Sequence, residues 1–350
     1  MTKAKVRYLP VKIKGRPGFK MAYWDIDSGK EGPCLLVTAA LHGNEVQGSE
    51  VIRRFCPVAE KSIIRGRMIL VPFVNLPALW NRRPHIISTL AEPRGQLEKK
   101  KVKNKVVLMP KDPMVNINRT WPGDPRGNES QQLACIIFKG IFEQATHNID
   151  LHCYNRFTGA AAIPEGCEKA VNFAKLSAFP FLRQSAKPLD LSKEFKGTAP
   201  LSDWFNLNGR TAFTVEFSGQ YVVLEKQVRI GVRALTNCSK HLGMFRGKPE
   251  GLEETVVIEQ NLLKMVTAPF GGLFIENGLT AGDFVKKGSV IGWLFSDRSL
   301  KTKEIKAPVD GYLYAYGHRK PLCDVDLAAM HPYADRGDNL AVIVKSSQKR

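Results

Sequence analysis

The sequence contains no apolar run that is long enough to cross a membrane. A helix that spans a bilayer needs about 20 consecutive apolar residues, and the apolar runs of this chain are much shorter. The amino-terminal segment MTKAKVRYLPVKIKG also lacks the apolar stretch and the small-residue cleavage site of a secretory signal. We therefore expect a soluble, cytoplasmic protein without a membrane partner.

Cysteine shows no pattern that would support a disulfide scaffold. The seven cysteines are scattered, odd in number and without a CxxC pair. Disulfide frameworks and thiolate zinc sites both need cysteines in pairs at characteristic spacings. We expect reduced thiols, and we look for the chemistry of the protein elsewhere.

Acidic residues are few compared with basic ones. The chain has 33 Asp and Glu against 52 Lys and Arg, a formal net charge of +19. Seven Lys or Arg and one Glu fall in residues 94–111, and we interpret the segment of about 86–112 as a solvated basic insertion. A nucleic-acid-binding protein is one alternative, but this run has no aromatic residue to stack on bases. We favour the interpretation that the positive charge attracts small carboxylates, and we expect no nucleic acid partner.

Apolar residues, in contrast, are frequent enough for a large core. They make up 43% of 350 residues, which excludes a disordered chain and allows roughly two domains. Apolar runs at 34–41 and 68–74 predict buried strands, and 45–56 between them has partly helical spacing that Pro57 is predicted to end. This order of strand, helix and strand is typical of α/β proteins with parallel strands.

Further elements continue the α/β pattern. A helix is predicted over 129–145, where Asn128 and Gln131 resemble a capping box. The apolar segments 149–152 and 212–217 predict two more strands. Together these elements predict a sheet flanked by helices.

The last quarter of the chain predicts a separate all-β unit. Short apolar runs alternate with glycines, a pattern that is typical of small sandwiches and barrels. TAPFGG at 267–272 recurs as KAPVDG at 306–311, which indicates two related halves. We predict a first domain of residues 1–262 and a small β barrel or sandwich domain of residues 263–350.

Two short segments carry candidate metal ligands. His42 and Glu45 lie where the first buried strand ends and a helix begins, and His152 ends a second strand. Ligands of open α/β sheets bind at such strand ends, and two His with one Glu is a ligand set of catalytic zinc. Asp150 is a weaker candidate for a supporting contact, since adjacent side chains of a strand face opposite sides.

Four motifs resemble, in order and spacing, the succinylglutamate desuccinylase/aspartoacylase family of zinc carboxypeptidase-like enzymes. They span about residues 35–219 and are HGNE at 42–45, NR at 118–119 within NINRTWPG, DLH at 150–152 and VE at 215–216. The glycine-rich tail resembles the lipoyl/biotinyl-type β module that ends longer members. The resemblance implies a carboxypeptidase-like mixed sheet flanked by helices, followed by that β module.

The resemblance also implies roles for individual residues. His42, Glu45 and His152 would bind one Zn²⁺ per chain, and Glu216 would be the catalytic acid and base. Asn118 and Arg119 would hold the substrate's carboxylate or the carbonyl under attack.

The sequence departs from the family at two points that concern the site. Members commonly have another arginine shortly before the Asn-Arg pair, and here Arg82, Arg83 and Lys111 are rival candidates. The glycine that usually lies two residues after the catalytic glutamate is three residues away, at Gly219.

The implied activity is a zinc-dependent hydrolase that removes a small acyl group from an N-acyl amino acid carrying a carboxylate. A metallocarboxypeptidase that acts on a peptide carboxyl terminus is the alternative within the same chemistry, and the basic nucleic-acid-binding protein is the alternative from another class. A homo-oligomer is compatible with this architecture.

Overall fold

The computed structural model describes residues 2–86, 97–102, 105–110, 113–154, 158–165, 167–183, 197–317 and 332–346. The strands up to residue 258 are β1 (Lys5–Val11), β2 (Phe19–Asp27), β3 (Cys34–Ala39), β4 (Arg67–Val71), β5 (Leu97–Val102), β6 (Lys105–Pro110), β7 (His147–Tyr154), β8 (Ala161–Ile163), β9 (Phe181–Arg183), β10 (Thr211–Ser218) and β11 (Val256–Ile258). The helices are α1 (Gln47–Ser62), α2 (Leu76–Trp80), α3 (Glu129–Gly140), α4 (Glu168–Lys175), α5 (Leu201–Leu207) and α6 (Glu225–His241).

A mixed sheet of nine strands forms the centre of this part, in the order β1-β2-β4-β3-β7-β10-β8-β9-β11. Strands β4, β3, β7 and β10 pair in parallel, and the antiparallel strands β2 and β8 flank them. Helices α1 and α6 bury apolar side chains against one face, and α3 and α5 against the other. The predicted mixed sheet flanked by helices is confirmed, and the carboxyl ends of β3, β7 and β10 lie side by side.

Helix α1 does not end where its sequence pattern predicted. Pro57 lies inside the helix, which continues to Ser62, so the predicted end at Pro57 is wrong. Proline leaves the carbonyl four residues earlier without its usual partner. Both Pro57 and Arg53 are exposed, so water can bond that carbonyl, while Phe55 and its buried neighbours hold the opposite side of the helix on the sheet.

Helix α3 begins as predicted and ends earlier. The side chain of Asn128 accepts a hydrogen bond from Gln131 N, and Gln131 Oε1 accepts one from Asn128 N, so the capping box is present. The helix ends at Gly140, and a single 3₁₀ turn, Phe142–Gln144, occupies the rest of the predicted range. Among the described helices, none combines the length and the apolar character that a membrane span requires.

The basic insertion is not simply a loop. Its described parts, β5 and β6, pair antiparallel as a two-stranded sheet of their own, which corrects the prediction of a loop over 94–111. Valines such as Val106 and Val107 favour extended backbone, and the lysine-rich composition concealed this preference in the sequence.

The described residues of the carboxyl-terminal part form strands and turns, as predicted. Its strands are β12 (Leu263–Thr267), β13 (Gly272–Glu276), β14 (Phe284–Val285), β15 (Val290–Ser296), β16 (Thr302–Lys306), β17 (Gly311–Tyr316), β18 (Tyr333–Ala334) and β19 (Asn339–Lys345). They form two four-stranded sheets, β12-β19-β17-β14 and β16-β15-β13-β18, around one apolar cluster. The nine-stranded sheet ends with Ile258 and the first strand of the β module begins at Leu263, so we propose a domain boundary near residue 262.

Candidate active site

The candidate metal ligands come from two neighbouring strands. After β3 ends at Ala39, Ala40 adopts a left-handed conformation with φ +54°, which turns the chain before α1 begins. His42 and Glu45 lie in this turn, and His152 lies on β7, the parallel neighbour of β3. One donor atom from each of the three residues lies within 4.8 Å of the others. The fold therefore brings the three predicted ligands together.

Both imidazoles direct the same ring nitrogen toward Glu45. His42 Nδ1 lies 2.9 Å from Glu45 Oε1, and His152 Nδ1 lies 2.8 Å from Oε2. The backbone N–H of Cys153 and the amide of Gln220 also donate to this carboxylate, each at 3.1 Å. Two imidazole nitrogens and a carboxylate oxygen that converge in this way are a donor set suited to catalytic zinc. The residues present therefore fit the metal that the family resemblance implies.

The outer nitrogens of both imidazoles are held by other side chains. His42 Nε2 lies 3.0 Å from Asn116 Oδ1, and His152 Nε2 lies 2.8 Å from Asp150 Oδ2. Such partners orient an imidazole and leave its other nitrogen available for a metal. The sequence argument against Asp150 is wrong, because Asp150 and His152 are two residues apart and share one face of β7.

Opposite charges offset the electrostatic cost of burying this cluster. Burial raises the pKa of Glu45, but His42 and His152 outweigh it and hold that pKa well below its usual range. Burial lowers the pKa of His152, whereas the carboxylates of Asp150 and Glu45 hold it well above its usual value. Glu45 is therefore ionised, and His152 would have to release a proton for a cation to bind between them. Metal affinity should consequently increase with pH.

Glu216 faces the same point from the next strand. It lies on β10 directly opposite His152 on β7, and its Oε2 atom is buried with no hydrogen-bond partner within the described ranges. Burial, with a contribution from the Glu45 carboxylate, raises the pKa of Glu216 to about 7, although His152 and His42 oppose the shift. A carboxyl group with such a pKa can take up and release a proton near neutral pH.

The loop after β10 accommodates the unusual glycine spacing. Gly219 adopts φ +72° directly after the strand, a conformation that glycine takes without strain. Gln220 then donates to Glu45, and Tyr221 N donates to the backbone oxygen of Asn44 at 3.0 Å. Although the glycine is displaced by one residue, this loop therefore still forms hydrogen bonds to the turn that contains His42 and Glu45.

Asn118 connects a candidate ligand to a helix. Asn118 lies in a short 3₁₀ turn, Ile117–Arg119, and its Nδ2 atom lies 3.1 Å from His152 Nε2. Its Oδ1 atom accepts a hydrogen bond of 2.9 Å from Leu201 N at the start of α5. Arg119 follows and donates from Nη1 to the backbone oxygen of Asn118 at 2.7 Å. The amide nitrogen of Asn118 thus lies beside the ring nitrogen that Asp150 holds, and Arg119 follows in the same turn.

The segment after α2 contributes a residue that the sequence analysis missed. Arg82 is exposed and Arg83 is half-buried, whereas the ring of His85 lies 5.5 Å from the ring of His42. His85 Nδ1 is buried without a partner in the described part of the chain, and burial together with His42 lowers the pKa of His85 to about 3. Lys111 lies outside the described residues.

The β module reaches the neighbourhood of Glu216. Gly159 N donates to the backbone oxygen of Tyr314 on β17 at 2.8 Å, and the ring of Phe181 lies 5.3 Å from that of Tyr314. Burial raises the pKa of Tyr314 to about 12, and the Glu216 carboxylate is among the groups that add to this shift. The module therefore packs against the larger part of the chain beside the candidate site.

A second acidic residue near the site is largely buried. Asp203 on α5 is only 6% exposed, and no hydrogen bond or ion pair of its carboxylate occurs among the described residues. Burial and the nearby Glu165 carboxylate raise its pKa from 3.8 to about 7, against the opposing charge of Arg119. Folding therefore disfavours the ionised form of Asp203.

The variant Asp203→Asn is expected to stabilise the fold above pH 7 and to change little near pH 4. Below about pH 4 the carboxyl of Asp203 is protonated in both the folded and the unfolded protein. As the pH rises, its ionisation increasingly favours the unfolded protein, until the pH passes the pKa of Asp203 in the folded protein. A shift of this size corresponds to about 1 to 4 kcal/mol at pH 8. Urea unfolding at pH 4, 6 and 8 measures the difference in the free energy of unfolding between wild type and variant. Glu143→Gln, at an exposed residue, is the control. An Asp203→Asn protein that is less stable at pH 8 would contradict the expectation.

Comparison with known proteins identifies the family. A model of the succinylglutamate desuccinylase/aspartoacylase catalytic domain matches residues 31–242. The chain belongs to the succinylglutamate desuccinylase/aspartoacylase family. The matched range contains every residue that the sequence predicted for the site, and it ends before the β module.

Individual proteins that match the chain are distant in sequence, and the solved structures among them are similar in fold. An N-alpha-acetyl-L-2,4-diaminobutyric acid deacetylase from Halomonas elongata is 22% identical over 297 residues, which cover 81% of this chain and 78% of the relative. An aspartoacylase family protein from Mesorhizobium loti has a TM-score of 0.68 at 20% identity, covering 100% of this chain and 96% of the other. The product-bound ectoine utilization protein EutE (DoeB) from Ruegeria pomeroyi has a TM-score of 0.63 at 19% identity, with coverage of 98% and 95%. The shared fold thus extends through the β module.

Proposed function

We propose that the chain is a zinc-dependent hydrolase that removes a small acyl group from an N-acyl amino acid. The observation that carries the proposal is the cluster of His42, Glu45 and His152 with Glu216 on the adjoining strand. Membership in the family supports hydrolysis of an amide bond. The name of the Halomonas elongata relative, a deacetylase of an N-acetylated amino acid, supports the substrate class.

His42, Glu45 and His152 would hold one zinc ion per chain. Zinc bound at such a site polarises a carbonyl group and lowers the pKa of a water molecule from about 15.7 to about 7. Asn116 and Asp150 keep the two imidazoles in the orientation that binding requires. Asn118 lies beside His152 on the side of α5.

The remaining residues handle protons and the substrate's charge. Glu216 takes a proton from the attacking water at its unpartnered Oε2 atom and delivers it to the leaving nitrogen. Arg119 pairs with the substrate's carboxylate, for which a guanidinium offers two parallel N–H donors. The C–N bond breaks, and the products are a carboxylic acid and a free amino acid.

Removal of zinc is expected to abolish hydrolysis, and its return should restore it. A chelated and dialysed sample should have lost its zinc and its activity, and titration with Zn²⁺ should restore activity at about one ion per chain. The assay compares N-acetyl and N-succinyl amino acids with dipeptides. Full activity without metal would refute the zinc site, and faster hydrolysis of dipeptides would make the protein a carboxypeptidase.

A further inference from the structure

A row of buried polar side chains ends at His152. Asn148, Asp150 and His152 alternate along β7 and therefore share one face of the sheet. Thr38 lies on β3, where the parallel pairing places it directly opposite Asp150. Thr38, Asn148 and Asp150 are fully buried. Thr38 carries the only hydroxyl of the apolar run 34–41, and the fold places it two hydrogen bonds away from a candidate metal ligand.

A backbone carbonyl fixes the direction of the hydrogen bonds in this row. Leu36 O lies 3.4 Å from Asn148 Nδ2, and a carbonyl oxygen can only accept. The amide nitrogen of Asn148 therefore faces this side, and it also donates to Thr38 Oγ1 at 3.3 Å. The hydroxyl of Thr38 in turn donates to Asp150 Oδ1 at 2.7 Å. The second oxygen of Asp150, Oδ2, then accepts from His152 Nε2 at 2.8 Å.

Two neighbours of His152 Nε2 require opposite states of this nitrogen. Asp150 Oδ2 accepts a hydrogen from it, whereas Asn118 Nδ2, 3.1 Å away, offers one to it. Asn118 cannot turn its amide oxygen to the ring without losing the hydrogen bond from Leu201 N. A hydrogen on Nε2 leaves the free lone pair of a neutral imidazole on Nδ1, which faces Glu45. Binding of a metal beside Glu45 requires this arrangement of His152.

We infer that Thr38 is a positioning residue, which holds Asp150 so that His152 keeps its hydrogen on Nε2 and directs Nδ1 to the metal. The Asp150 carboxylate cannot rotate away from the Thr38 hydroxyl without leaving buried polar atoms unpaired. Outer contacts of this kind decide which nitrogen of an imidazole binds a metal. The inference rests on the proposed function, since the metal is the zinc ion of that proposal.

A rival explanation is that the Thr38 hydroxyl only satisfies buried polar groups and stabilises the sheet. In that case its removal would lower the free energy of unfolding of the metal-free protein and leave the affinity for zinc unchanged. A positioning residue instead changes the affinity of the folded protein for the metal. The deciding measurement is therefore zinc affinity, compared between variants that differ in one hydroxyl.

Two pairs of proteins isolate this hydroxyl. Thr38→Val replaces it with a methyl group of similar size, and Thr38→Ala differs from Thr38→Ser only by its absence. At constant pH, competition with a chelator of known affinity should show that the zinc Kd of full-length Thr38→Val is about three- to tenfold above that of the wild type. Thr38→Ala should show the same loss relative to Thr38→Ser, which decides the question if Thr38→Val does not fold.

Two controls accompany these variants. Thr38→Ser keeps the hydroxyl, and its zinc Kd should stay within about twofold of the wild-type value. Thr236→Val removes a hydroxyl that donates to Val232 O within α6, and it should bind zinc like the wild type. Unfolding of each metal-free variant in urea measures the structural effect separately.

A double variant tests whether Thr38 acts through Asp150. In the Asp150→Asn background, Thr38→Val should raise the zinc Kd by less than about a further twofold, because the carboxylate on which it acts is already gone. Losses that multiply in the double variant would show two independent effects and would overturn the inference.

The outcomes separate this role of Thr38 from the proposed function. Equal zinc affinities of wild type and Thr38→Val, with N-acyl amino acids hydrolysed, overturn the role and leave the deacylase standing. The expected order of affinities in a protein that hydrolyses no N-acyl amino acid supports the role and counts against the deacylase alone. A wild type that binds no zinc overturns both.

Discussion

The variant Glu216→Gln is expected to lower kcat by about 10²- to 10⁴-fold, the range of a general acid–base contribution. Glutamine keeps the shape of the side chain but cannot take a proton from water or deliver one to the leaving nitrogen. Because Glu216 is not among the three clustered ligands, the zinc content should stay at about one ion per chain. Steady-state kinetics with metal analysis measures both quantities.

The pH profile provides the control for that variant. The carboxyl of Glu216, with its pKa raised to about 7 by burial, is protonated below this value and cannot act as a base. The kcat/KM of the wild type should therefore increase with pH through this range, and positive charge from a bound cation would move the inflection to lower pH. Glu216→Gln should lack this inflection. A variant that retains more than about a third of the wild-type kcat would remove Glu216 from the mechanism.

The variant His42→Ala is expected to lose both zinc and activity. Loss of a supporting partner of a ligand weakens metal binding by about 10- to 100-fold, so loss of a ligand itself should exceed this range. After dialysis we expect less than about one tenth of a zinc ion per chain and an activity on the order of the background hydrolysis. Circular dichroism should show that the protein is folded.

Two further variants serve as comparisons for His42→Ala. Asp150→Asn, which alters the outer contact to His152 and the carboxylate that accepts from Thr38 Oγ1, should reduce zinc affinity by about 10- to 100-fold. His241→Ala changes an exposed histidine at the end of α6 and should have no effect. If His42→Ala binds zinc like the wild type, the cluster is not the metal site.

The ligand cluster could be predicted because it depends on local sequence. Short apolar runs that end in polar residues mark β3 and β7, and parallel strands bring such ends together. His42, Glu45 and His152 were therefore accessible without coordinates. The role of Glu216 came from the family resemblance, since its neighbours Val215 and Phe217 indicate only that it lies within a buried strand.

Other parts of the site depend on distant packing that no local pattern reveals. His85 approaches His42 only through the path of the chain after α2. Glu165 approaches α5 because the side chain of Asn206 donates to its backbone oxygen. The predicted end of α1 at Pro57 is wrong for a related reason, since the rule for proline considers the helix alone and the sheet supports this one from outside.

Side chains alternate between the two faces of the sheet along β7 and β10, and this limits how the protein can change over evolutionary time. Asp150 and His152 share a face with Glu216 because their strands pair in a fixed register, and a slip by one residue would turn all three away. The reacting groups are thus tied to the most constrained part of the fold. Helix α5 is outside this constraint, so under the proposed function substitutions there could change the preferred substrate while the candidate site is kept.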